Sequence, residues 1–198
     1  APHFLAEQHG ILLKFGDSQR VVRLNEISRF ESIGNHAAVY TPYGKSFIHS
    51  SLAKIEQKLD PALFFKASRA DIVRISAISQ IEPAIADGGL IAILQDGQQV
   101  DVSRRQAQQL KQQFSAQLPT LHQQLQQHFS QQQWQALAYA AHSLKGSAGS
   151  MGYPEITQLA GELEISANAR QAEQCAGQLQ QIGDIIQQAG LATSTTIV

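Results

Sequence analysis

Between Ala141 and Gly149 the chain sets four residues on a helical spacing. His142 is followed by Lys145 three residues on, Gly146 four on and Gly149 seven on. Residues so spaced share one helix face. A neutral imidazole there is a nucleophile, and a phosphorylated one needs such neighbours. The ammonium would offset the incoming phosphoryl charge, and the missing side chains would admit a second protein. Glycine inside a helix costs about 1 kcal/mol relative to alanine, so two of them ask for a reason. The plainer alternative is a solvated histidine on a helix whose glycines only permit tight packing. Spacing by itself leaves both open.

Other candidate chemistry is thin. His122 and His128 are six apart, a poor spacing for one helix face, so no metal site is expected. His3, His9, His36 and His49 are scattered and read as surface or core residues. The single cysteine, Cys175, excludes intrachain disulfides and cysteine-based zinc sites and points to a reducing, cytoplasmic setting. It falls on an apolar helical stripe, as core rather than nucleophile. There is no G-x-x-x-x-G-K-[ST] and no dinucleotide fingerprint, so no ATP-binding kinase and no cofactor is expected.

The elements that position these residues come from two unlike stretches. The chain has 198 residues, 43% hydrophobic and 16% charged, with a formal net charge of −1. That apolar fraction argues for globular structure over disorder. No apolar run nears the roughly 18 residues that span a bilayer, so no membrane partner is expected. The sequence begins at Ala1 without a basic, apolar leader, which suggests a fragment or a processed start. Residues 1–115 sum to +2 and residues 116–198 to −3. Aromatic and β-branched residues gather before residue 100, alanine and glutamine after it. From 106 to 135, 14 of 30 residues are glutamine, suited to helix surface or tether. Leu118-Pro119 predicts a break, because the residue before proline is driven from helical angles.

The first stretch reads as strands at 11–15, 20–24, 29–32, 36–41, 45–49, 72–75, 80–85, 90–94 and 98–102. Gly16-Asp17, Gly34-Asn35, Pro42-Tyr43-Gly44, Asp87-Gly88-Gly89 and Asp96-Gly97 supply the turns. Leu52, Ile55 and Leu59 space a short helix over 51–59. Ser103 and Gln106 have capping-box spacing, which starts another helix with Arg104 and Arg105 in its first turn. The second stretch reads as four helices. Leu121, Leu125 and Phe129 stripe the first. Ser130 and Gln133 predict a capping box for the second, with Phe129 and Trp134 stapled across it, and Trp134, Leu137, Ala141, Leu144 and Ala148 on its buried face. His142 lies roughly 100° around from that face, at the rim. Pro154 opens the third helix, over Ile156, Leu159, Ala160 and Leu163. Ala172, Cys175, Leu179, Ile182 and Ile186 stripe the fourth, with Gly190 as its stop. An antiparallel four-helix bundle follows.

The run His142-Ser143-Leu144-Lys145-Gly146-Ser147-Ala148-Gly149 resembles the motif of histidine phosphotransfer (HPt) domains, H-x-L-K-G followed by a glycine. Leu159-Ala160-Gly161-Glu162-Leu163-Glu164 is similar to the family's next-helix L-x-x-x-L-E pattern. The resemblance covers about residues 116–190. It implies that His142 takes a phosphoryl group from a receiver-domain aspartate or a kinase and passes it on. It gives Lys145 the phosphate charge, Gly146 and Gly149 the receiver's approach, and Glu164 a structural role. The extra N-terminal helix of many HPt domains is not evident; Gln106–Ala116 either supplies it or belongs to the first domain.

Arg29-Phe30-Glu31-Ser32-Ile33-Gly34-Asn35-His36-Ala37-Ala38-Val39-Tyr40 resembles the early strand-turn-strand of LytTR DNA-binding domains. Phe64-Phe65-Lys66-Ala67-Ser68-Arg69-Ala70-Asp71-Ile72-Val73-Arg74-Ile75 is similar to the family's F-x-R-x-H-R-S-x-I-V-N stretch. Val102-Ser103-Arg104-Arg105 resembles its terminal V-S-R-R. Coverage is about residues 10–114. The resemblance implies an elongated β structure whose loops enter successive major grooves of double-stranded DNA, with His36, Arg69 and Arg105 facing the groove. Ser68 stands where the family has histidine and Arg74 where it has asparagine, which bears on base preference. By their chemistry, Arg69 and Arg105 suit guanine O6/N7 or phosphate, and Lys66, Arg74 and Arg104 suit phosphate. Arg104, Arg105 and the free amides of a helix start would cradle a phosphate.

The sequence therefore predicts a tail over 1–9, a mostly-β LytTR-like domain with short helices over 10–115, an all-α HPt bundle over 116–190 and a tail over 191–198. The expected function is cytoplasmic two-component signalling by a phosphohistidine carrier, rather than an autonomous enzyme, that exchanges phosphate with a receiver domain and regulates transcription on DNA. The alternative keeps the phosphorelay role and makes the β domain a protein-interaction module. An incidental fusion of two independent domains is the third possibility.

Overall fold

The computed structural model of the chain describes residues 3–85 and 88–195. They form two units, Ala1–Ser79 with Pro83–Ala107 and Gln80–Glu82 with Gln108–Val198. Asp87 of the expected Asp87-Gly88-Gly89 turn, Ala1 and Pro2 of the expected N-terminal tail and residues 196–198 of the C-terminal tail lie outside the described residues.

The first unit is mostly β. Strands β1 (Gly10–Phe15) and β2 (Ser18–Arg23) form a hairpin closed by Gly16-Asp17. Strands β3 (Arg29–Ile33) and β4 (His36–Thr41) form another, closed by Gly34-Asn35. Two-residue hairpin loops need left-handed backbone, and Gly16 and Gly34 supply it at φ +62° and +59°. β5 (Gly44–Ile48), β6 (Phe64–Lys66) and β7 (Asp71–Arg74) complete a five-stranded sheet in the order β5-β4-β3-β7-β6. Strands β8 (Ile78–Pro83), β9 (Leu90–Leu94) and β10 (Gln99–Val102) form a three-stranded sheet in the order β10-β9-β8. Helix α1 (Leu52–Lys58) is capped by Ser51, whose hydroxyl accepts from Lys54 N at 3.3 Å. Its buried Leu52 and Ile55 join Phe30, Val39, Phe64 and Ile72 in one core.

Strands β3 and β7 also carry a charged network. Arg29 Nε donates to Asp71 Oδ1 at 2.7 Å, Nη2 to Glu31 Oε2 at 2.8 Å and Nη1 to Gln98 Oε1 at 2.8 Å. Tyr40 donates to the other Glu31 oxygen at 2.7 Å. One guanidinium thus ties β3, β7 and the turn before β10.

Apart from Gln80–Glu82 of β8, the second unit is helical: the latter part of α2 (Arg104–Ser130), α3 (Trp134–Ala148), α4 (Pro154–Asn168) and α5 (Ala172–Thr195). Leu118, Leu125, Leu137, Ala141, Ile156, Leu163 and Ile182 are central to its core. The mostly-β part and the helical bundle agree with the fold class read from sequence, and four local expectations are corrected. No break occurs at Leu118-Pro119: α2 runs through Pro119, so Gln106–Ala116 belongs to the same helix as Leu121. Leu118 is 1% exposed, and its burial outweighs the local cost of the proline. The Ser130/Gln133 box does not form; Ser130 ends α2 with its hydroxyl on Gln127 O, and Gln133 Oε1 meets His128 Nδ1. Phe129 and Trp134 do pack edge to face, 6.1 Å between centroids. Finally, Gly190 does not stop α5, and Ala172 is exposed rather than on the buried stripe.

Candidate functional site

The stripe Leu137, Ala141, Leu144 and Ala148 turns one face of α3 into the bundle and leaves His142 at its rim. The imidazole side chain is 59% exposed. Its Nδ1 stands 3.0 Å from Glu164 Oε1, while Lys145 Nζ donates to Glu164 Oε2 at 3.0 Å. One carboxylate of α4 therefore holds two bases of α3. A carboxylate has no proton to give, so Nδ1 carries the hydrogen and a neutral ring presents its lone pair at Nε2. Burial works to raise the Glu164 pKa, but the Lys145 hydrogen bond and the charges of His142 and Lys145 outweigh it, so the carboxyl sits below its ordinary 4.5. No partner holds Nε2 among the described residues.

The glycines separate by what a side chain would meet. A Cβ on Gly149 would lie 3.1 Å from Thr157 Oγ1, and Thr157 donates to Lys145 O at 3.3 Å. Gly149 thus has a local reason, the close approach of α3 and α4, beside the docking role read from sequence. Gly146 is half-buried on α3 one turn beyond His142. Sequence reading missed Gly161, where a Cβ would come 3.2 Å from Lys145 Cδ. Its absence lets the Lys145 side chain cross α4 to reach Glu164. The signal was present: Gly161 and Glu164 are three apart, on one face. Glu164, expected to be structural, is placed directly on His142. Tyr139 and Ile165, 65% and 70% exposed, precede His142 by one turn and follow Glu164.

In the β unit the cationic candidates divide. Arg69 is exposed in the bend between β6 and β7, with no partner among the described residues. Arg104 and Arg105 are exposed in the first turn of α2. Ser103 Oγ caps that turn, accepting from Gln106 N at 3.4 Å, while Ser103 N donates to Ala67 O at 3.1 Å rather than closing a reciprocal box. That backbone bond sets the Arg69 bend beside the Arg104-Arg105 turn. Lys66 is paired with Glu56 at 3.1 Å. Arg74 is turned onto the fold: Nε donates to Ile27 O at 2.9 Å, Nη1 meets Ser76 Oγ, and burial lowers its pKa. Two of its nitrogens are thereby withdrawn from a phosphate. His36 is exposed at the start of β4, and His49, which looked unrelated in sequence, stands 3.2 Å from it. His122 is packed into the bundle instead, with Nε2 2.8 Å from Leu179 O.

The LytTr DNA-binding domain family matches residues 17–115, and the Hpt domain family matches residues 109–191. The chain is 27% identical over 99 residues to the CO-responsive transcriptional regulator RcoM of Rhodospirillum rubrum, covering 50% of this chain and 42% of that protein. It is 29% identical over 106 residues to the sensory transduction protein LytT of Bacillus anthracis, covering 54% of this chain and 43% of that one. The matched stretches thus span less than half of either relative. Among solved structures, a LytTr DNA-binding domain of a putative methyl-accepting/DNA response regulator from Bacillus cereus superposes with a TM-score of 0.49 at 21% identity, covering 53% of this chain and 95% of that one. No helix among the described residues is long and apolar enough to cross a membrane.

Proposed function

We propose, for a chain that belongs to the LytTr DNA-binding domain family and carries an Hpt domain behind it, that His142 is a phosphoryl carrier in a relay whose other end is DNA. The observation that carries the reading is the bridging carboxylate of Glu164. It fixes Nδ1–H and leaves Nε2 as the nucleophile toward a receiver's aspartyl phosphate. The Nε2–P bond forms as the aspartyl O–P bond breaks, and the released carboxylate stays with the receiver. Lys145 faces the new negative charge, so its ammonium offsets the phosphoryl group beside the Glu164 carboxylate. Tyr139 and Ile165 supply an apolar rim for the docking protein, with Gly146 leaving room.

In the β unit, Arg69, Arg104 and Arg105 form the core of the DNA face, with His36 and Lys66 as further contacts. Arg74 serves the fold. Phosphate contact fixes register, and Arg69 or Arg105 reads guanine edges.

Phosphotransfer from a phosphorylated receiver domain tests the first half. Acid-labile label mapped to His142 by mass spectrometry, and lost in His142→Gln, is the expected result; equal labelling of that variant overturns it. Duplex affinity tests the second. It should fall steeply with salt, and Arg69→Ala or Arg105→Ala should each weaken it by about 1–3 kcal/mol. An affinity indifferent to salt and to both substitutions would return the β unit to a protein-interaction module.

A further inference from the structure

His36 and His49 come from opposite strands of one hairpin. The β4–β5 register pairs Ala37 with Ile48, so the next position outward sets His36 across from His49. Both side chains are exposed. Their rings stand edge to face with centroids 4.7 Å apart, and His36 Nε2 lies 3.2 Å from His49 Nδ1. We propose that this pair is a two-imidazole site for a divalent transition-metal ion of the zinc, nickel or copper class.

The argument is geometric first. A metal about 2.0–2.1 Å from each of two nitrogens 3.2 Å apart subtends an angle of about 100° between them. That lies between the octahedral and tetrahedral values, so both nitrogens reach one ion with the strands where they are. Both rings are exposed, so each can turn to aim its lone pair at that point. The scaffold is rigid where it matters, because β4 is hydrogen-bonded on both sides within the five-stranded sheet. Imidazole nitrogens suit these metals and not magnesium or calcium, which prefer oxygen.

Two protein ligands leave coordination positions open. Among the described residues no group of three or more histidine, cysteine or acidic side chains could hold a metal, so the remaining positions go to water or an external ligand. A cavity of about 330 Å³ opens beside His49, lined by Gly34, Asn35, Ser50, Ser51 and Lys54. The Lys54 ammonium there disfavours a bare second cation and favours an anion as the outer ligand. Metal on Nε2 also withdraws that nitrogen of His36 from any base edge. The site rests on hairpin register, and it shares His36 with the proposed DNA face.

Zinc chloride titrated into the full chain, followed by calorimetry and by nitrogen-15 NMR of the imidazole rings, tests this. One zinc per chain should shift the ring signals of His36 and His49 first. His36→Gln and His49→Gln should each weaken binding about tenfold or more, and magnesium should not compete. Both side chains are exposed, so circular dichroism of the variants should match wild type. Zinc that first shifts other imidazoles, or that binds the double variant as tightly as wild type, overturns the proposal.

Discussion

The two units each hold a three-membered charged network, and they are inverses. In the β unit one cation, Arg29, bridges two carboxylates, Asp71 and Glu31; in the bundle one carboxylate, Glu164, bridges two bases, His142 and Lys145. The Arg29 and Asp71 side chains are 11% and 12% exposed, and all three arms of the guanidinium are occupied. The His142 side chain is 59% exposed and keeps one ring nitrogen unheld among the described residues. A saturated network fixes a sheet. One that leaves a single ring nitrogen unheld suits the phosphoryl transfer proposed for His142.

That contrast breaks most visibly at Arg29. Arg29→Met leaves Asp71 nearly buried without its charge partner, and loss of one member of such a pair costs about 3–5 kcal/mol. Urea unfolding should register that loss, whereas His142→Gln should stay within about 0.5 kcal/mol of wild type. At the bundle the effect moves from stability to rate. Glu164→Ala should slow labelling of His142 about tenfold, and Glu164→Gln, which still accepts from Nδ1–H, should restore most of the rate. Insensitivity of labelling to both would reduce Glu164 to a packing residue.

A smaller effect separates packing from chemistry at Gly161. Gly161→Ala gains helix propensity of up to about 1 kcal/mol, while its methyl displaces the flexible Lys145 stem. The melting temperature should hold or rise as labelling falls two- to threefold, roughly. The smallest effect is on pH dependence. The folded Glu164 carboxyl lies below its free value of 4.5, so its pairing contributes stability above that pH and loses it as pH falls toward the folded value. Melting temperatures measured from pH 6 to pH 3 should decline less in Glu164→Gln across that window.

Local grammar carried far in the sequence where it agreed with tertiary packing. Ser51 and Ser103 cap the helices they were expected to begin, Pro154 opens α4, and the two-residue turns close their hairpins. It failed where packing ran the other way. Leu110, Phe114, Leu118 and Leu125 keep one apolar stripe through Pro119, and that stripe holds α2 together across the expected break. Strand β6 is three residues long, too short to show a period, and is absent from the strands read in the sequence. At the site, His142 and Lys145 were legible because they sit on one helix. Glu164 was underrated because its reach to α3 is a contact between helices 19 and 22 residues apart in sequence. The His36–His49 pair was invisible for the same reason, since only strand register brings the rings together.

The lone thiol has a use that follows from its place in the fold. Cys175 is fully buried against the bundle core, and burial pushes its pKa up, so a thiol reagent meets neither an exposed sulfur nor a thiolate. Modification must wait for α5 to lift away. The rate of labelling therefore clocks how often the bundle opens, and its ratio to the global unfolding rate distinguishes a helix that breathes alone from one that leaves with the rest. With a single cysteine in the chain, that clock has one hand.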